Sequence, residues 1–163
     1  MEGTIRNSET TASPETVFDV AADLAAYPDW VTGIISVEIL GRDGSGLANR
    51  ARFEVDGFIK RIAYELVYEH RRPESISWRA VPGEDIEAME GSYIFRRRQD
   101  GGTEILYALQ VSPAFAVPGF LRSQAEKHIV TSALRSLRLR AEAVEAERRE
   151  GEGSSPGPMP PGA

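Results

Sequence analysis

Few side chains in this sequence are of types that do chemistry near neutral pH. The histidines are two, His70 and His128, and cysteine is absent. Without cysteine there is no disulfide framework, no thiolate zinc site and no cysteine nucleophile. Two histidines leave little from which to build a histidine metal centre, so no metal and no cofactor is expected. His128 and Ser132 stand four residues apart on a helical stretch, one turn from each other. With Tyr64, Tyr93 and Tyr107, His128 is a candidate to polarise a carbonyl or relay a proton, His128 and Tyr93 foremost. Glu126 and Lys127 sit beside His128 near the helix start, a setting that favours a solvated histidine. No pair of inward carboxylates emerges, nor a set of base, orienter and oxyanion donor. No catalytic residue is therefore assigned.

Three other motifs dissolve once their context is read. Gly153 to Gly157 spells Gly-x-Ser-x-Gly, but a nucleophile elbow needs a strand before it and a helix after it, and this stretch is proline- and glycine-rich. The glycines of Gly41-Arg42-Asp43-Gly44-Ser45-Gly46 join two strands and open no helix, which reads as a hairpin turn rather than a phosphate cradle. Arg96-Arg97-Arg98 falls at a strand end before a turn, where a solvated terminus is the simpler reading than an anion site.

The elements that must position these residues follow from periodicity. Residues 3–12 read as a polar edge strand. Ser13-Pro14-Glu15-Thr16 opens a helix, with Ser13 as N-cap and Pro14 at the first helical position. Val17, Phe18, Val20, Ala21 and Leu24 give it an apolar face. Pro28 disfavours helix at Tyr27, and a second short helix is expected through Trp30 to Thr32. The period then becomes two: Val37 and Ile39; Ala51, Phe53 and Val55; Ile62, Tyr64, Leu66 and Tyr68; Ile76, Trp78 and Ala80; Met89, Gly91, Tyr93 and Phe95; Ile105, Tyr107, Leu109 and Val111. Short turns between these strands specify an antiparallel meander with one apolar face. Pro118-Gly119 starts a long helix expected to reach about Glu147, with Val130, Ala133, Leu134, Leu137, Ala141 and Val144 at helical spacing. At 1.5 Å per residue it spans roughly 40 Å, so it must lie across the sheet. Residues 149–163 read as a disordered tail after a single domain over 1–148.

Composition narrows the function classes. The 163 residues are 41% hydrophobic, enough for one core, and carry a formal charge of −6. An acidic domain lacks the electrostatic footprint that nucleic acid demands. No apolar run is long enough for an integral membrane segment. Met1-Glu2-Gly3-Thr4 shows no signal peptide, and a cytoplasmic protein is expected.

The inner face is the informative one. Phe53, Tyr64, Tyr68, Trp78, Tyr93, Phe95 and Tyr107 all point inward by alternation. A dry core prefers Leu, Ile, Val and Phe, because a buried tyrosine hydroxyl needs a partner. A curved sheet wider than the one helix that covers it tends to leave a hollow. Inward tyrosines therefore suit an apolar-walled pocket with a few polar tips.

The runs Ser13-Pro14-Glu15-Thr16-Val17-Phe18-Asp19-Val20 and Tyr27-Pro28-Asp29-Trp30 resemble the opening of the START-like (SRPBCC) superfamily. The later stretches Ile76-Ser77-Trp78, Glu90-Gly91-Ser92-Tyr93, Val117-Pro118-Gly119-Phe120, Ala125-Glu126-Lys127 and Ala133-Leu134 agree. More narrowly the chain is similar to the polyketide cyclase/dehydrase and coenzyme Q-binding branch over about residues 3–147. The resemblance implies the α+β helix-grip fold: a seven-stranded antiparallel sheet around a long C-terminal helix, with two short helices after the first strand and a hydrophobic-ligand tunnel between. Members include lipid carriers, quinone-binding proteins and aromatase/cyclases. A carrier of a small hydrophobic ligand (lipid, quinone or polyketide-like) is the first expectation. A polyketide aromatase/cyclase or dehydratase is the second, and a domain whose tunnel is filled by Phe53, Trp78 and Phe120 the third. The expected ligand-contacting residues are Trp30, Phe53, Tyr64, Trp78, Tyr93, Tyr107, Phe120, His128 and Ser132, with Tyr27, Pro28 and Trp30 at the mouth.

Overall fold

The computed structural model describes residues 3–57 and 60–153. Strand β1 (Thr4–Thr10) leads into helix α1 (Pro14–Ala22), a 3-10 turn (Leu24–Ala26) and helix α2 (Tyr27–Trp30). Six strands follow: β2 (Ile34–Arg42), β3 (Ala48–Asp56), β4 (Arg61–Arg71), β5 (Ser75–Val81), β6 (Ile86–Arg97) and β7 (Thr103–Pro113). Helix α3 (Gly119–Gly153) closes the chain. The seven strands form one antiparallel sheet in the order β1-β7-β6-β5-β4-β3-β2. The helix-grip arrangement expected from the sequence is the arrangement found.

Local chemistry explains the elements. The side chain of Ser13 accepts from the Thr16 amide at 3.3 Å, capping α1, and Pro14 occupies a first-turn position where its missing N–H costs nothing. Val17, Phe18 and Ala21 bury one face of α1 completely. Helix α2 corrects the sequence reading: it begins at Tyr27 rather than near Trp30, and Val31 is already extended. Tyr27 adopts helical angles despite the proline after it. Its hydroxyl donates to the Ala21 carbonyl, and its ring meets Trp30 edge-on at 5.2 Å; these contacts outweigh the pre-proline preference.

Helix α3 is stitched to the start of the chain by carboxylates along its length. Thr4 donates to Glu126 at 2.7 Å, Thr10 to Glu142 at 3.2 Å, and Thr16 to Glu145 at 2.5 Å. Arg148 then reaches Thr16 and Asp19, both at 3.0 Å. This last docking carries the helix past Glu147, where the sequence reading ends it, and makes residues 149–153 helical rather than tail. Residues 154–163, including most of the Gly-x-Ser-x-Gly match, lie outside the described residues. The three arginines at the end of β6 are each paired: Arg96 with Glu104, Arg97 with Glu15, and Arg98 with Glu9 and Asp100.

The helix leans to one side. Its backbone lies against β1, β7 and α1, and Val130, Leu134, Leu137 and Ala141 fill that contact. The rest of the sheet's inner face is left facing space, because one helix about 10 Å across cannot cover seven strands spaced about 4.8 Å apart.

Candidate functional site

That space is a cavity of about 630 Å³, within the range of small-molecule sites. Cross-strand register builds its floor. Phe53 of β3 pairs with Tyr64 of β4, Tyr68 of β4 with Trp78 of β5, Trp78 with Gly91 of β6, and Tyr93 of β6 with Tyr107 of β7. The rings follow this register: Phe53 and Tyr64 stack at 5.5 Å, Trp78 sits 5.3 Å from Tyr93 and 5.7 Å from Tyr107, and Tyr93 meets Tyr107 edge-on at 4.5 Å. Gly91 is what lets the indole lie flat on the sheet. A Cβ at that position would overlap the Cε2 and Cζ2 atoms of Trp78.

Aliphatic walls come from Ile62, Leu66, Ile86, Met89, Leu109 and Val111, and the roof from α3 through Ala125, Ile129 and Ala133. Trp30 and Tyr27 close one side. Lys60 spans another: it pairs with Asp85 at 2.9 Å and lies 4.7 Å over the ring of Phe115. The second carboxylate oxygen of Asp85 accepts from the Ala63 amide at 2.8 Å. Hydrogen bonds from Lys60 and the Ala63 amide, with the charges of Lys60 and Arg52, hold Asp85 below the usual carboxylate range.

The polar content of this chamber is unusual. Tyr27 is hydrogen-bonded to Ala21. The hydroxyls of Tyr64, Tyr68, Tyr93 and Tyr107 take no protein partner among the described residues, yet none is a sealed, orphaned atom; the only such atom is His70 Nδ1. Four phenol hydroxyls therefore open onto the cavity. Burial pushes all of them well above the ordinary tyrosine value. For Tyr107, the neighbouring Tyr64, Tyr27 and Glu126 add to the effect of burial. Phenols in this state stay neutral across the biological range, and each can donate or accept a hydrogen bond.

The expected contact residues largely converge. Trp30, Phe53, Tyr64, Trp78, Tyr93, Tyr107, His128 and Ser132 all line the cavity, His128 from an exposed position at its margin. Phe120 does not. It is 71% exposed and outside the lining, because it falls off the buried stripe of α3. Pro28 is exposed and outside the lining too, whereas Tyr27 and Trp30 form part of it. Phe95 points inward but is spent in the core, edge-on to Phe18 at 6.2 Å and stacked on Tyr93. The tunnel is open rather than filled by Phe53, Trp78 and Phe120.

Among the lining residues that the sequence reading did not place in the site, Glu126 is the buried charged one. Glu126 is 6% exposed and faces the cavity from α3. Its two oxygens accept from Thr4 at 2.7 Å and from the Val111 amide at 3.1 Å. The signal was present: the stripe Val130, Leu134, Leu137 and Ala141, continued one turn back, lands on residue 126.

Comparison with known proteins agrees with this geometry. The structure superposes on a START superfamily protein from Mycobacterium smegmatis with a TM-score of 0.79 at 20% identity, covering 87% of this chain and 98% of that one. It superposes on the Zhui aromatase/cyclase from Streptomyces sp. R1128 with a TM-score of 0.67 at 18% identity, covering 94% and 98%. A STAR-related lipid transfer protein from Xanthomonas axonopodis gives a TM-score of 0.66 at 20% identity, covering 84% of each. At these identities the likeness is one of fold. No curated protein matches the chain significantly by sequence. Residues 10–138 match the family described as polyketide cyclase / dehydrase and lipid transport, and with an open aromatic chamber under a long C-terminal helix, the chain belongs to that family.

Proposed function

We propose that this domain binds, and carries, a small and largely apolar molecule with a few oxygen functions: a lipid, a quinone or a polyketide-like compound. The observation that carries this reading is the chamber of about 630 Å³ with four unpartnered phenol hydroxyls opening into an otherwise apolar wall. Removing apolar ligand surface from water supplies most of the affinity, at roughly 25 cal/mol per Å². The hydroxyls, neutral and preorganised, set orientation. Native mass spectrometry and titration against a panel of lipids, quinones and aromatic polyketides test it, with Trp78 in the floor and Trp30 at the margin as fluorescent reporters. A bound species or quenching is expected; an empty protein and unchanged emission across the panel would remove the reading.

A second reading is catalytic: an aromatase/cyclase or dehydratase acting on a poly-β-ketone, with Tyr93 and His128 as the groups that polarise a carbonyl or relay a proton. It is favoured by the aromatase/cyclase among the structural neighbours and by the placement of both residues on the cavity wall. It predicts that His128→Ala or Tyr93→Phe alters the products formed with a poly-β-ketone-producing partner. An unchanged product profile in both variants leaves the binding reading alone.

A further inference from the structure

The charged groups on the cavity wall are not equivalent. Asp56 and Lys60 are solvent-exposed and Arg122 is partly so. Glu126 is the charged lining residue that is buried, at 6% exposure. Burying a carboxylate is costly unless it is hydrogen-bonded, and Glu126 is held by one donor on each oxygen, Thr4 Oγ1 and the Val111 amide. A carboxylate offers about four acceptor positions. Two are used by the protein, so two remain, on a group that lines the chamber. These remaining positions differ in kind from the phenols. A tyrosine hydroxyl donates or accepts, whereas a carboxylate only accepts.

We propose that Glu126 makes the chamber selective for guests carrying a hydrogen-bond donor, such as a phenol, enol or alcohol, over acceptor-only guests such as ethers and quinones. This selectivity rests on the binding reading above and narrows its ligand class. The phenols of Tyr93 and Tyr107 satisfy a guest's acceptors, and Glu126 satisfies its hydroxyl. A guest hydroxyl on a carboxylate is a charge-assisted bond, stronger than a neutral one.

A matched pair of probes isolates the effect. 2-Naphthol and 2-methoxynaphthalene share an aromatic body and an acceptor oxygen and differ in the donor. Calorimetric titration of the full chain is expected to give about tenfold tighter binding of the naphthol. In Glu126→Gln the gap is expected to close to within about twofold, because the amide carries no charge and offers one oxygen, already shared with Thr4 or Val111, in place of two. In Thr4→Val, which removes the pin to β1 but keeps the carboxylate, the gap is expected to persist. Equal affinities in the wild type, or a gap that survives Glu126→Gln, would overturn the proposal while leaving the binding reading intact. A gap erased by Thr4→Val as well would overturn it in favour of a purely structural pin. Should Glu126→Gln not fold, the wild-type and Thr4→Val comparisons still decide. If neither probe binds the wild type, and the wider panel does not either, both readings fall together.

Discussion

Replacing Gly91 by alanine tests the construction of the chamber floor. The added methyl would overlap the benzo edge of the Trp78 indole. That ring is 9% exposed and is hemmed in by Tyr68, Tyr93 and Tyr107, so it cannot swing aside within the sheet. The free direction is upward, into the cavity. Overpacking of this kind costs about 1–3 kcal/mol. Alanine recovers about 0.4–1 kcal/mol by restricting the unfolded chain. The net loss is about 1–2 kcal/mol, or a fall of about 2–8 °C in Tm for a domain of this size. Gly44→Ala is the control, since nothing lies within 4 Å of a Cβ there; its Tm is expected to stay within about 2 °C of wild type. The assay is thermal unfolding with the emission of Trp78 read in a Trp30→Phe background, where Trp78 is the only indole of the chain's two. A Gly91→Ala protein with wild-type Tm and emission would refute the claim that the indole rests on a bare backbone.

Two further outcomes follow from the same geometry. Tyr93→Phe deletes a hydroxyl that makes no bond to the described protein, so stability is expected to change by less than about 0.5 kcal/mol, while Tyr27→Phe breaks the bond to Ala21 and is expected to cost about 1 kcal/mol in denaturant unfolding. Stability is also expected to fall in acid through Asp19. Partial burial alone would raise its carboxyl, but the hydrogen bonds and charges of Arg72 and Arg148 outweigh it and hold the group below its ordinary value. A group whose folded value is depressed contributes stability above its unfolded value, about 4, and loses that contribution as pH falls through the folded value. Asp19→Asn should therefore flatten the Tm profile below about pH 5 while leaving its shape above pH 6 unaltered; an Asn variant with the wild-type acid limb would contradict this.

The sheet was legible because its strands obey a period of two over long runs. Phe53, Tyr64, Trp78, Tyr93 and Tyr107 all face inward as alternation requires, and register then brings their rings together. The errors lie where a single residue was weighed by type or neighbours. Glu126 reads as a surface acid beside Lys127, yet its partners Thr4 and Val111 sit on the separate strands β1 and β7 and are invisible to local pattern. Phe120 reads as a ligand contact, but on α3 it falls off the buried stripe and stands exposed. The helix end at Gly153 was hidden for the same reason as Glu126: Arg148 is held by Thr16 and Asp19, more than a hundred residues upstream.

The pairing of the sheet's first strand has a consequence during synthesis. Strand β1 lies at the sheet's edge and finds its ladder only in β7, with Thr10 opposite Thr103. Some ninety residues separate them, which at ribosomal speed is a delay of roughly 5–20 s. Until then β2 to β6 can zip as successive hairpins, but the barrel-like hollow has neither its near wall nor its roof. The wall that β7 and β1 build and the roof that α3 lays across them therefore wait on the last third of the chain, the final part of the chamber to be synthesised.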